Sequence, residues 1–312
     1  MIPTVRAALA GLIDYAGLFP PAALPLDAAL REYEATMAGE RGWMVRRFIV
    51  PASRVAELSS AYAGDASVML SVILDAPNDA LGWFEGLRLR LADVQSALAA
   101  DARLRLAALE IPLPALRTLR DTYDGAIGQY AALASAAGVR DLPAYVEPFR
   151  DRRWRDALPA TMTVLARHRL GAKVRCGGAS PDAVPSTEEL AAFVRAAVAA
   201  GVPFKATAGL HHPVRRVDPA SGLAAHGFLN LIAASLAARE DDPGMAIEAA
   251  LGEEDPHAFR FSEESFAWRE RHYDVAAIDA MREAAFVGYG SCSVAEPVAD
   301  LTAMGLLGEV PG

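Results

Sequence analysis

Two lysines stand in short apolar segments whose patterns predict buried strands. Lys173 lies in GAKVRC and Lys205 in PFKATA, and Arg175 follows Lys173 by two residues. Because side chains alternate across a strand, Lys173 shares one face with Arg175, and Lys205 shares one with Thr207. The opposite faces carry alanine, valine and phenylalanine, which suit packing against helices. The lysines, Arg175 and Thr207 are therefore predicted to point into the interior of the fold.

Two glutamates end further strand-like segments, Glu110 in LRLAALEIP and Glu147 in AYVEP. Amines and carboxylates that converge on one place can form covalent intermediates and transfer protons. Such a chemistry assigns Lys173, Lys205 and Glu147 catalytic roles and Glu110 a substrate contact. The same residues also allow a structural arrangement, in which the glutamates hold both lysines charged and inert in interior ion pairs. Residue types alone leave both readings open.

Two adjacent histidines, His211 and His212, follow a glycine turn. Neighbouring side chains of an extended loop point in different directions, so at most one is predicted to enter a site. His212 precedes Pro213, which restrains it toward extended geometry and suits a positioned acid–base group, and His211 is assigned a substrate contact. A metal-dependent hydrolase or isomerase, using either histidine with Glu147 and Glu110, is the main alternative. Neither HxH nor HExxH spacing is present to strengthen it.

The segment GYGSCSVAEPVADL predicts an anion site. Ser293 and Glu296 have the spacing of a capping box that opens a last helix. A helix N-terminus after a strand presents backbone N–H groups, and barrel enzymes often bind phosphate there. Gly290, Ser291 and Ser293 are therefore predicted to contact a substrate anion, together with Arg175. A second glycine turn, CGGAS, follows Arg175.

Eight strand-like segments alternate with amphipathic helical ones, which predicts a parallel β/α architecture. They are LIDYAG, RRFIVP, VMLSVILDA, LRLAALEIP, AYVEP, GAKVRC, PFKATA and FVGYGS. This number favours a single (β/α)8 TIM-type barrel over residues 1–312, with extra helices between strands seven and eight. An open doubly wound sheet is the competitor, but the turn DYAGLFPP lacks GxGxxG and polar residues end many strands. Ser186 and Glu189 form a capping box, and Gly201 ends the helix that they begin.

Composition limits the partners. The net charge is −9, with 53% hydrophobic and 22% charged residues, and no basic run predicts nucleic-acid binding. The two cysteines, Cys176 and Cys292, form no CxxC motif and are expected to be small buried side chains in a reducing compartment. No signal cleavage site and no run of about 18 apolar residues is present, which predicts a cytoplasmic protein without a membrane span. A small anionic metabolite is the expected partner, no cofactor is expected, and a homo-oligomer stays open.

The stretches VRCGGASPDAVPSTEELAAFVRAAVAAGVPFKATAGLHHPVR and GYGSCSVAEPVADL resemble a bacterial (β/α)8-barrel family without an established activity. More weakly, the chain resembles class I aldolases, whose barrels carry a Schiff-base lysine on strand six. That resemblance implies a lyase with Lys173 as the amine nucleophile and Lys205 as the neighbouring cation, although no complete aldolase signature surrounds either lysine. Apolar walls and the cations Arg175 and Lys205 are expected to lower the pKa of Lys173. A non-catalytic, metabolite-binding barrel is the remaining alternative.

Overall fold

Eight parallel strands close into a barrel in the computed structural model, which describes residues 1–77, 82–115, 123–178, 180–217, 222–240 and 244–308. The barrel strands are β1 (Ile13–Tyr15), β2 (Val45–Pro51), β3 (Val68–Ile73), β4 (Leu104–Pro112), β5 (Ala144–Glu147), β6 (Gly171–Arg175), β7 (Phe204–Thr207) and β13 (Phe286–Ser291). The last strand pairs with both β7 and β1, and Tyr15 lies opposite Ser291. The closed barrel predicted from the sequence is confirmed, and an open sheet is excluded.

Helices surround the barrel. They are α1 (Pro3–Leu9), α2 (Leu26–Ala38), α3 (Leu58–Ala61), α4 (Trp83–Ala100), α5 (Asp124–Ala136), α6 (Trp154–His168), α7 (Thr187–Ala199), α8 (Phe228–Ala237), α9 (Ala246–Gly252), α10 (Val275–Ala284) and α11 (Ala295–Ala303). The predicted capping box of α7 is confirmed, with Ser186 accepting from the Glu189 N–H and the Glu189 carboxylate accepting from the Ser186 N–H. Gly201 then adopts a positive φ just after this helix, as a terminating glycine does.

The connection between β7 and β13 contains the predicted extra helices and also strands that the sequence did not reveal. A short antiparallel pair joins β8 (Arg216–Val217) to β9 (Ala224–Ala225), and β10 (Phe259–Phe261), β11 (Phe266–Trp268) and β12 (Arg271–Tyr273) form a three-stranded antiparallel sheet. Strands of two or three residues are too short for alternation to be recognised. Here stacking of Phe266 on Phe259 and Tyr273 stabilises the three-stranded sheet.

The apolar core lies between the barrel and its helices. Phe204, for example, points outward from β7 and packs against Phe193 of α7 and Phe286 of β13. Ala172 and Val174 of β6 are likewise buried on this outer side. This layer buries the hydrophobic surface that the fold requires, so the barrel interior is free to hold polar groups.

Candidate active site

A chain of alternating charges runs through the barrel interior. In order it consists of Arg47, Asp14, Lys205, Glu110, Lys173, Glu147 and Arg175. These side chains come from six of the eight strands, and alternation along each strand brings them to the inner face. These seven side chains are called the charge chain below. Its four cations and three anions give it a net charge of +1.

Glu110 is the centre of this chain. Its Oε2 lies 2.6 Å from the Lys173 Nζ, and its Oε1 lies 2.6 Å from the Lys205 Nζ. The Ser71 hydroxyl also donates to Oε1 at 2.7 Å. Each lysine has a second carboxylate partner, since Lys173 lies 2.8 Å from Glu147 and Lys205 lies 2.5 Å from Asp14. The interior ion pairs that the sequence allowed are therefore present.

Exposure rises along the charge chain from the barrel floor to its mouth. The side chains of Glu110 and Lys205 are 1% exposed and that of Lys173 is 3% exposed, whereas Glu147 is 18% and Arg175 is 54% exposed. Arg175 approaches Glu147 only to 3.5 Å. The Arg175 end of the charge chain is thus open to a bound molecule, while its centre at Glu110 is sealed.

The carboxylates decide the protonation of both lysines. Burial favours the neutral amine and lowers the pKa of Lys173, but Glu110 and Glu147 raise it by more, and the net pKa lies above its ordinary value. The pKa of Lys205 is raised in the same way, with Asp14 and Glu110 opposing burial. The expectation that nearby cations would lower the pKa of Lys173 is wrong, because two carboxylates contact the ammonium directly. Burial raises the pKa of Glu110, yet the two lysines hold it well below its usual range.

A cavity of about 440 Å³ opens at the carboxyl ends of β4, β5 and β6. Its wall combines aromatic side chains with charged ones, namely Trp83, Phe149, Trp154, Glu147, Arg150, Lys173, Arg175 and Asp182. Arg150 donates to the Glu189 carboxylate at 3.0 Å and to the Asp182 carbonyl, which holds its guanidinium at the rim. Three residues proposed from the sequence therefore border one cavity: Lys173, Glu147 and Arg175.

The other predicted site residues are not among the described residues that line this cavity. Lys205 and Glu110 lie beneath it in the charge chain, and Thr207 continues the inner face of β7 next to Arg175 of β6. His211 and His212 follow β7, Gly290 and Ser291 are the last two residues of β13, and Ser293 follows that strand. The structure thus brings the lysine–glutamate set together and places the histidine–serine set apart from the cavity.

Both histidines pair with the last helix. The Nδ1 of His211 lies 3.0 Å from a Glu296 oxygen, and the Nδ1 of His212 lies 2.6 Å from an Asp300 oxygen. Glu296 and Asp300 are four residues apart and so lie on one face of α11, where they meet consecutive histidines. Among the described residues, no group of three or more His, Cys, Asp or Glu side chains is arranged to hold a metal ion. The metal-dependent alternative has no ligand set in this part of the chain.

Ser291 at the end of β13 and Ser293 just after it make local hydrogen bonds. The Ser293 hydroxyl accepts from the Glu296 N–H at 3.2 Å, which is half of the predicted capping box. The other half does not form, because the Glu296 carboxylate pairs with His211. The buried Ser291 hydroxyl donates to the Ser293 carbonyl at 2.6 Å. Anion binding by these residues stays a prediction.

The glycine turns allow close approach of neighbouring backbones. A Cβ at Gly177, in the CGGAS turn, would lie 2.7 Å from the Gly209 Cα, so the loops after β6 and β7 touch backbone to backbone. Residue 179 of this turn lies outside the described residues. A Cβ at Gly290 would lie 3.1 Å from the Thr207 Oγ1. Close packing explains both glycine positions.

Sequence reasoning missed Asp14, Arg47, Ser71 and Arg150. Asp14 and Arg47 had a usable signal, because a charge within an apolar strand segment is the feature that singled out the lysines. The composition contains a stronger indication that the two lysines have a special role. The 30 basic residues comprise 28 arginines and two lysines, and the two lysines are Lys173 and Lys205. Every other basic position of the chain uses arginine.

Comparison with known proteins does not assign the chain to a family. No protein-family model matches the chain, and no curated protein matches it significantly. Among solved structures, the chain is similar to deoxyribose phosphate aldolase from Aeropyrum pernix, described as having a unique tetrameric structure. The TM-score is 0.43 and the identity 13%, over 64% of this chain and 77% of that chain. An aldolase is thus among the similar structures, but a likeness this small carries no argument about the fold or the reaction.

The strand pairing and the interior side chains by themselves define the class of protein, a closed (β/α)8 barrel with a charged interior. No helix among the described residues is long and apolar enough to cross a membrane.

Proposed function

We propose that the protein is a lyase of the aldolase type, in which Lys173 forms a Schiff base with the carbonyl carbon of a small anionic substrate. One observation carries this proposal: the two lysines of the chain lie opposite each other on β6 and β7 inside the barrel, and Lys173 borders the cavity. Arginine serves as the cation elsewhere in the chain, but its guanidinium stays protonated and cannot act as an amine nucleophile. Lysine at these two positions therefore suits amine chemistry.

The cavity favours Lys173 over Lys205 as the nucleophile. Lys173 lines the cavity, whereas Lys205 lies below it and is held by Asp14 and Glu110. A carbonyl compound in the cavity can reach the Lys173 Nζ from the side of Glu147. Lys205 is assigned the role of the neighbouring cation.

The ion pairs of Lys173 are compatible with this chemistry. An ammonium and a carbonyl condense to a protonated imine and water, so the charge at the nitrogen is the same before and after. Glu110 and Glu147 therefore contact a positively charged Lys173 nitrogen both before the imine forms and after it. The neutral amine is needed only during attack, when the ammonium proton passes to the Glu147 oxygen at 2.8 Å. The same carboxylate, which borders the cavity, is then placed to move protons of the bound substrate.

Two arginines at the cavity support an anionic substrate. Arg175 is half-exposed and only loosely held by Glu147, and Arg150 stands at the rim. A guanidinium offers two parallel donors to a carboxylate or a phosphate. A cavity of about 440 Å³ lies within the range of sites for small metabolites.

Borohydride trapping tests the proposal. The protein is incubated with aldehydes, keto acids and sugar phosphates, reduced with borohydride, digested and analysed by mass spectrometry. We expect an adduct on Lys173 that disappears in Lys173→Met. In Arg175→Ala, trapping of anionic carbonyl compounds should fall while trapping of a small uncharged aldehyde persists. With two lysines in the chain, the assignment of the adduct is unambiguous.

Other outcomes would point to the alternatives. An adduct confined to Lys205 would move the nucleophile, and no adduct with any compound that stabilises the protein would indicate a non-catalytic binding barrel. Activity that a chelator abolishes, without an adduct, would indicate the metal-dependent hydrolase or isomerase. Assembly into a homo-oligomer and a cytoplasmic location stay predictions, and light scattering during size-exclusion chromatography tests the first.

A further inference from the structure

A second cluster of reactive side chains lies beside the last helix. The Cys292 sulfur lies 3.8 Å from the His211 Nδ1 and 3.9 Å from its Nε2. The His211 Nδ1 is in turn 3.0 Å from a Glu296 oxygen. A thiol next to an imidazole that a carboxylate orients is the arrangement of an activated nucleophile.

Three separate segments build this cluster. His211 follows β7, Cys292 follows β13, and Glu296 lies in the first turn of α11, where Ser293 caps its N–H. The contact with Cys292 and the Glu296 carboxylate raise the pKa of His211, although burial opposes them. The geometry therefore places the His211 imidazole to accept the thiol proton of Cys292.

A buried hydroxyl adjoins the cluster. The Tyr15 side chain is fully buried, and its hydroxyl interacts with the Glu32 carboxylate. Burial, Glu32 and the Cys292 sulfur all raise the pKa of Tyr15, so the hydroxyl keeps its proton and lies within electrostatic reach of the sulfur.

We propose that Cys292 is a site of covalent oxidation, at which hydrogen peroxide converts its thiol to a sulfenic acid with His211 as the proton acceptor. The thiol proton passes to His211, and the thiolate attacks one peroxide oxygen. The S–O bond forms as the O–O bond breaks, and the leaving hydroxide takes the imidazolium proton and departs as water. Sulfur loses two electrons and the peroxide gains them. This modification does not depend on Lys173 and goes beyond the proposed lyase reaction.

Cys176 supplies an internal control. It is fully buried, and burial raises the pKa of its thiol to about 12. Cys292 retains 6% exposure and has the histidine partner. The same chain thus contains a partly exposed thiol beside an imidazole and a fully buried thiol whose raised pKa makes it unreactive.

The test is peroxide treatment of the folded protein in the presence of dimedone, followed by peptide mass spectrometry. We expect dimedone on Cys292 and not on Cys176, with the difference lost after unfolding in urea. His211→Asn should slow labelling of Cys292 by about a hundredfold, the lower end of what a positioned base contributes. Glu296→Gln should slow it by a smaller factor. The matched change one turn along α11, Asp300→Asn, removes the partner of His212 and should leave the rate unchanged.

Thermal unfolding of each variant verifies that it is folded. The proposal is overturned if Cys292 in the folded wild-type protein is labelled no faster than Cys176. It is also overturned if folded His211→Asn reacts at the wild-type rate. Because Lys173 takes no part, failure here would leave the borohydride result unaffected.

Discussion

At the scale of single residues, Glu110 determines the state of both lysines. It is almost fully buried, contacts each ammonium at 2.6 Å and accepts a hydrogen bond from Ser71. Removing a carboxylate from such a site leaves buried positive charges with fewer partners, which costs more than the pair itself contributes. The interior charge chain therefore depends on this one side chain.

We expect Glu110→Gln to lower the free energy of unfolding in urea by about 3–5 kcal/mol, as found when one partner of a buried pair is removed. Because the lysines hold the folded-state pKa of Glu110 below its ordinary value, its stabilising effect is present above about pH 4 and is lost as the pH falls further. The stability difference between wild type and variant should shrink in that acidic range. Glu85→Gln, in the exposed pair with Arg88, is the control and should change little. A difference that is small, or independent of pH, would contradict the central role of Glu110.

At the scale of elements, a buried histidine joins α7 to the connection between β7 and β13. This connection, residues 208–285, is called the insertion below. His226 follows β9 and precedes α8, and its Nε2 lies 2.8 Å from the carbonyl of Pro185, just before α7. Its Nδ1 has no partner among the described residues. Burial lowers the pKa of His226 to about 4, with Arg215 adding to the effect. The neutral ring is thus part of the contact between the insertion and α7.

This geometry predicts that the titration of His226 makes the free energy of unfolding depend on pH. Its folded-state pKa is below the ordinary value near 6.5. As the pH falls, His226 therefore becomes protonated in the unfolded chain at a higher pH than in the folded protein. Between about pH 6.5 and about pH 4, stability should fall by about 1.4 kcal/mol per pH unit from this group. His226→Gln keeps a donor for the Pro185 carbonyl but does not titrate. Urea unfolding across this range should show the slope reduced in the variant, and an unchanged slope would rule out His226 as its source.

At the scale of the whole molecule, the barrel, its helices and the insertion share one apolar core. The closing pair of β1 and β13 joins the two ends of the sheet, and Phe228 of the insertion stacks on Tyr289 of β13. A continuous core of this kind favours unfolding in one cooperative step. The single domain over residues 1–312 stays a prediction that unfolding can test.

We expect urea unfolding followed by circular dichroism and by tryptophan fluorescence to give coincident transitions. Trp83 and Trp154 report on the barrel helices, and Trp268 reports on the three-stranded sheet. Trp268→Phe separates these contributions. If the wild-type fluorescence showed an early transition that this variant lacks, the insertion would unfold on its own and the single-domain prediction would be wrong.

Much of the fold could be predicted from the sequence because the relevant physics is local. The eight barrel strands, the capping box of α7 and the inward orientation of Lys173 and Lys205 all follow from periods of two and 3.6 residues between near neighbours. The same reasoning missed β10, β11 and β12, since three residues are too few to show a period.

The sequence alone determined that two lysines, an arginine and two glutamates gather in the barrel interior, although it did not reveal Asp14, Arg47 and Ser71 beside them. The tertiary structure alone decided which of them touch. Lys205 pairs with Asp14, 191 positions away, and with Glu110, 95 positions away. Such partners depend on the closure and stagger of the whole barrel, which no local pattern contains. For the same reason only the structure could show that the carboxylates, rather than the cations, set the protonation of Lys173, and that His211 and His212 turn to α11 instead of the cavity.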